Sequence, residues 1–220
     1  MAPEPAEEDP AVERVVTVAP ERLGRWLSGF RQRHGAISAA ADAGQVIMLG
    51  SDGARAVIAV TFPPLPSSDD PINALVQHVS RERRVGALLV RKGGYAVGVF
   101  SGHQLITSKV GSSYVQGKTK AGGWSQQRFA RRRRNQAEKA YAAAADAAST
   151  VLLPAVDELT TVILGGDRSA VTSVLADSRL APIRAKSSPG VLPVAEPRLA
   201  VLRALPDQFL AVSIRLNHLA

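Results

Sequence analysis

The sequence predicts an α+β fold, a mixed and largely antiparallel sheet with flanking helices, and three observations carry that expectation. Two glycine-bearing turns, GSDG at 50–53 and Lys92-Gly93-Gly94, each join two apolar segments of strand length. Between such segments, apolar residues recur at helical spacing. One alanine-rich stretch, over about 125–149, reads as a single long helix.

Taken in order, APEPAEEDP near the start is acidic and proline-rich, and residues 1–11 read as a disordered tail. VERVVTV at 12–18 is a short strand. APERLGRWLSGFRQRHG follows as a helix with Leu23, Trp26, Leu27 and Phe30 on its core face. Residues 36–62 read as extended segments. PPLPSSDD at 63–70 is a loop whose Asp69 or Asp70 caps the helix PINALVQHVSRER, with proline at its start. VGALLVR and YAVGVF form a hairpin, and GHQLITSKV and SSYVQGK continue as strands. After the alanine-rich helix, TTVILGG is a short buried strand and SAVTSVLADSRL a helix with Val171, Val174 and Leu175 on one face. Residues 181–198 are proline-rich and read as irregular. PRLAVLRAL is a short helix, and FLAVSIRL a last strand with Leu210, Val212, Ile214 and Leu216 on one face. The expected organisation is an N-terminal α/β extension over 12–80 and a second domain over 81–220.

A hydrophobic content of 45% and a mean hydropathy of +0.01 describe a chain able to bury a core. No apolar run approaches the length of a membrane span, and no signal peptide opens the sequence, so the expected compartment is the cytoplasm. Without cysteine, disulfides and thiolate metal sites are excluded. His34, His78, His103 and His218 are scattered, so neither a metal site nor a cofactor is expected. No GxSxG, P-loop or GxGxxG motif supports a serine hydrolase or a nucleotide-driven enzyme.

Charge is the informative property. From Arg83 to Ala137 there are twelve Lys and Arg and no Asp or Glu, while the remainder holds fifteen basic and nineteen acidic residues. The whole basic excess therefore lies in one segment, which implies a polyanionic partner, nucleic acid first. Within it stands GKTKAGGWSQQRFARRRRNQ. Consecutive helical residues turn by about 100°, so Arg131, Arg132, Arg133 and Arg134 sweep roughly 300° around the axis. A helix packed on its own protein keeps one apolar face, so this part is expected to project, a charged spike about 36 Å long over 125–148.

The tip in front of the arginines has its own chemistry. Ser125 suits an N-cap and would place Gln126 and Gln127 in the first turn, beside unpaired backbone N–H groups that favour phosphate or a developing oxyanion. Gly122 and Gly123 permit close backbone approach to a ligand. Lys118 and Lys120 can hold phosphates, and Trp124 offers a stacking face.

These residues resemble a known family. GGWSQQRFARRR is similar to GGQSALRFARLR, the catalytic loop of archaeal and eukaryotic class I release factors; Gly, Gly, Ser, RFAR and the last arginine coincide. Trp124 stands where that loop has its catalytic glutamine, and Gln126 supplies a glutamine two positions on. The displaced GxxQ pattern resembles the Vms-like release factors, in particular their actinobacterial branch, over roughly residues 81–220. The resemblance implies the fold of the release-factor middle domain, related to RNase H-like sheets. It also implies entry into the peptidyl transferase centre of the large ribosomal subunit and hydrolysis of the ester of peptidyl-tRNA, in rescue or quality control of stalled ribosomes. Ester hydrolysis needs a positioned water and a stabilised oxyanion. An uncharged glutamine is a poor base, so Gln126, or alternatively Gln127, is expected to orient the water while RNA hydroxyls move the proton. Arg128 and arginines 131–134 would hold rRNA phosphates, assisted by Lys118 and Lys120. Two alternatives remain open: a non-catalytic ribosome- or tRNA-binding protein, and an RNA-processing module that uses the helix for affinity alone.

Overall fold

The computed structural model describes residues 14–112 and 124–220, with 124–135 as helical backbone only. The mixed α+β class holds, and the strands divide between two five-stranded sheets in two compact units. One unit ends at Arg81 and takes up Asp207–Ala220; the other is Glu82–Pro206.

The first unit contains strand β1 (Arg14–Val18), helix α1 (Pro20–His34), strands β2 (Ile37–Ala41), β3 (Gln45–Gly50) and β4 (Arg55–Ala59), and helix α2 (Pro71–Val79). Strand β10 (Val212–Leu216) returns from the far end of the chain and inserts between β1 and β4, giving the antiparallel order β1-β10-β4-β3-β2. Expecting 81–220 to be one domain therefore needs correction at its end. The alternating Val212, Ile214 and Leu216 are all buried in this first core, on the apolar face that their period of two presents to it. Leu23, Leu27 and Phe30 of α1 and Leu75 and Val79 of α2 cover the same face. Trp26 is partly buried and stacks on Phe30 at 5.5 Å between ring centroids. The Asp70 carboxylate accepts the Asn73 N–H at 3.0 Å and caps α2, with Pro71 in the first turn. This helix stops at Val79, short of the expected SRER. Ser80 Oγ donates to the Val76 carbonyl at 2.8 Å, a local bond that competes with helix continuation.

In the second unit β5 (Arg84–Arg91), β6 (Gly94–Ser101) and β7 (Gln104–Ser112) form an antiparallel meander. Helix α3 (Trp124–Leu152) then leads to β8 (Thr161–Gly166), parallel to β5, and helix α4 (Arg168–Leu175) lies beyond it. Helix α5 (Ala181–Ala185) precedes β9 (Ser187–Leu192), parallel to β8; α6 (Leu199–Arg203) closes the unit, and α7 (Pro206–Phe209) leads back into the first. The sheet order is β7-β6-β5-β8-β9 with β6 running against the others, the arrangement implied by an RNase H-like sheet. Residues 181–198 thus contain a strand where irregular chain was expected. Pro189 is tolerated because β9 is an edge strand that bonds only to β8, so its missing N–H breaks no second ladder. Residues 85–90 of β5 are buried without interruption, as expected for a strand covered on both faces.

Candidate nucleic-acid interface

The long helix explains how the motif is held. Its C-terminal half carries small residues at helical spacing: Ala140, Ala144, Ala147, Ala148, Val151 and Leu152 are buried, most of them in a cluster with Val97 and Val99 of β6 and Val171 and Val174 of α4. Alanine has the highest helix propensity and lets the helix approach the sheet closely. At 1.5 Å per residue, the 29-residue α3 is about 44 Å long, and Trp124 lies about 24 Å along the axis from Ala140. Trp124, the first described residue after 112, is already helical, so Ser125 lies within the helix and is not the N-cap expected from the sequence. Tryptophan and serine have similar helix propensities, and nothing local stops the helix at 125.

Trp124, Gln126, Gln127, Arg128, Arg131, Arg132, Arg133 and Arg134 all lie on this helical backbone, brought together in its first three turns. Lys118, Lys120, Gly122 and Gly123 lie outside the described residues, as do the tail over 1–11 and most of the expected strand SSYVQGK. With 131–134 helical, their Cα positions do sweep about 300° around the axis.

An ionic clamp fixes the packed half of the helix. The Arg179 guanidinium reaches Asp146 of α3 at 2.8 Å and Asp177 at 2.7 Å. Its hydrogen bonds hold the Asp177 carboxyl below the usual carboxylate range, and the two carboxylates in turn raise the pKa of Arg179. A groove of about 480 Å³ runs between Ala137, Glu138, Tyr141 and Ala145 of α3 and Ser173, Val174 and Asp177. Glu138 and Asp177 make it unsuited to phosphate.

On the other side of the motif, β7 is an exposed edge strand. Lys109 stands opposite Val97 in the ladder and so shares the sheet face covered by α3. Sequence reasoning passed over Lys109; its place in the acid-free segment was the signal available. Two other cations of that segment are already neutralised, Arg84 by Glu158 and Arg91 by Asp167 at 3.5 Å. Gly111, two residues beyond Lys109, is required by close approach: a Cβ there would fall on the Tyr95 ring.

Among the described residues no cluster of three or more His, Cys, Asp or Glu could hold a metal, and no helix is long and apolar enough to cross a membrane. His34 and His78 are buried in the first unit, and His103 occupies an exposed turn.

The sequence of this helix-and-sheet unit is that of a release-factor-like protein. By sequence, residues 83–215 match the family described as Actinobacteria/chloroflexi VLRF1 release factor, and the chain belongs to that family. No curated protein sequence matches it significantly. Similar solved structures include the archaeal translation termination factor aRF1, at 14% identity over 89% of this chain and 66% of that one, with a TM-score of 0.42. Another is Dom34 of S. cerevisiae, titled a translation termination-like factor involved in RNA quality control pathways, at 11% identity over 87% and 62%, with a TM-score of 0.37. The chain thus spans about two thirds or less of the length of these structures.

Proposed function

We propose that the protein is a ribosome-associated peptidyl-tRNA hydrolase that releases nascent chains from stalled ribosomes. The observation that carries the reading is α3 itself, a continuous helix that includes the glutamine pair, is ringed by four arginine positions and is anchored by an alanine seam. A segment basic on every side fits an enclosure of RNA better than a flat protein surface.

In this reading, large-subunit rRNA phosphates neutralise Arg128 and arginines 131–134, with Lys118, Lys120 and Lys109 at the flanks. That grip delivers the helix N-terminus to the ester between peptide and tRNA. The first four N–H groups of a helix have no intrahelical partner, and they supply donors where the tetrahedral intermediate develops negative charge. Gly122 and Gly123 admit close backbone approach. The amide of Gln126 orients the attacking water, Gln127 being one position further along the same turn, and Trp124 stacks on a base or ribose. Water adds to the ester carbonyl, the bond to the ribose oxygen breaks, and the proton passes to the tRNA hydroxyl through neighbouring RNA hydroxyls. No metal or cofactor enters, and the reaction takes place in the cytoplasm.

The test is peptide release from purified stalled ribosome–nascent-chain complexes. Gln126→Ala should lower the release rate on the order of 10²-fold, the scale of losing one positioned polar group at a reacting oxyanion. Unchanged release by this variant, with loss in Gln127→Ala, would move the assignment by one residue. Trp124 at the glutamine position favours a second reading, a binding protein without chemistry; wild-type protein that binds these complexes tightly and releases nothing would establish that one.

A further inference from the structure

Away from α3, the first unit carries a set of cations that have no partner among the described residues. Helix α1 displays Arg22, Arg25, Arg31 and Arg33, all exposed, against a single acidic residue, Glu21. None of the four makes an ion pair or side-chain hydrogen bond with a described residue, whereas Arg84, Arg91 and Arg179 each hold a carboxylate. At 100° per residue, Arg22, Arg25 and Arg33 fall within an arc of about 80°, with Gly29 inside it. They span about 16 Å along the axis, enough to track more than one phosphate of an extended single strand.

Beside this stripe, between α1 and α2, lies a groove of about 490 Å³. Its floor is apolar, formed by Leu27, Met48, Ile72 and Val76. Its rim is polar: Arg31, Gln32 and Asn73 point side chains at it that make no hydrogen bond with described residues. Asp70 completes the rim, with one carboxylate oxygen on the Asn73 N–H and the other open. On the α1 wall a Cβ added to Gly24 would meet nothing within 4 Å, so the groove is open on that side.

We propose that α1 and this groove form a second RNA-binding surface, specific for single-stranded RNA: Arg22, Arg25 and Arg33 hold successive phosphates, and one unstacked base turns into the groove. The apolar floor receives the face of the base. Gln32, Asn73 and the free oxygen of Asp70 meet its donor and acceptor edge, the usual means of reading an unpaired nucleotide. A duplex keeps its bases stacked and would leave the groove empty. An acidic peptide would meet Asp70 on the rim. The inference rests on the ribosomal reading only for the source of the RNA.

The experiment measures binding of the full chain to a fluorescent, unstructured 12-nucleotide RNA across a salt series. The variant with Arg22, Arg25 and Arg33 all changed to Ala should lower the slope of log K against log salt by about 2, at ~0.7 per phosphate contact on a single strand. Ser28→Leu, which fills the groove without adding an aromatic face, and Asn73→Ala should each weaken binding severalfold with the slope unchanged. All three losses should recur when arginines 131–134 are also alanine, which separates this surface from the long helix. An unchanged slope in the triple variant overturns the proposal. Equal losses by Ser28→Leu and Asn73→Ala on a 12-base-pair duplex would overturn the base-binding groove. Gln126→Ala should slow peptide release as above and leave this binding intact, so the failure of either proposal is visible without the other.

Discussion

Arg179 shows what one side chain contributes here: it ties α3 to the turn after α4 by binding two carboxylates at once. Because Arg179 holds the Asp177 carboxyl below its ordinary value of 3.8, the contribution is complete above that value and is lost as pH falls through the lower folded-state value. Asp42 and Asp52 are lowered in the same sense, Asp42 by the Gly44 and Gln45 N–H groups and Asp52 by His34. Thermal unfolding midpoints should therefore drop below about pH 4, and Asp177→Asn should flatten part of that drop. A midpoint curve identical for variant and wild type would remove Asp177 from the account. Gly166 is constrained by backbone and not by charge. Its φ of 106° is one that side chains rarely adopt, and a Cβ there would meet the Val90 carbonyl. Gly166→Ala should cost about 2 kcal/mol or more in denaturant unfolding.

At the scale of elements, the alanine seam of α3 is both a helix former and a packing surface. Ala144 is fully buried against the sheet, so Ala144→Leu should destabilise by about 1–3 kcal/mol through overpacking. The same change at exposed Asp146 would lose the Arg179 bond and add no strain. Most elements were legible in the sequence because their signals are local. Leu23, Leu27 and Phe30 repeat at helical spacing, Asp70-Pro71 marks a helix start, and GSDG and Lys92-Gly93 mark turns. Strand β9 was not legible, since Ser-Ser-Pro-Gly carries turn chemistry and pairs only because β8 offers an open edge. In the motif, residue identity was legible and helical geometry followed from composition. The helical state of Ser125 was not, because serine suits a cap and a helical turn alike.

For the whole molecule, the decisive feature is that the chain leaves the first sheet after β4 and closes it with its last strand. Among the described residues β10 is the one strand paired with β1, and it supplies Val212, Ile214 and Leu216 to the first core. Truncation after Pro206 should therefore abolish cooperative unfolding of the first unit and expose α1 to proteolysis, while Glu82–Pro206 keeps its protected core. Equal protease resistance in the truncated and full chains would contradict this.

The sequence by itself determined the class of fold, most of the helices and hairpins, the concentration of positive charge in one segment and the family carried by its glycine–glutamine motif. These depend on neighbours within a few residues or on composition. Only the tertiary structure decided how the described strands divide between two sheets, that residues 207–220 complete the first of them, and that Arg84, Arg91 and Arg179 are held by carboxylates. Each of those outcomes is settled by residues far apart in the chain competing for the same apolar face or the same counter-charge, a competition that no local pattern records.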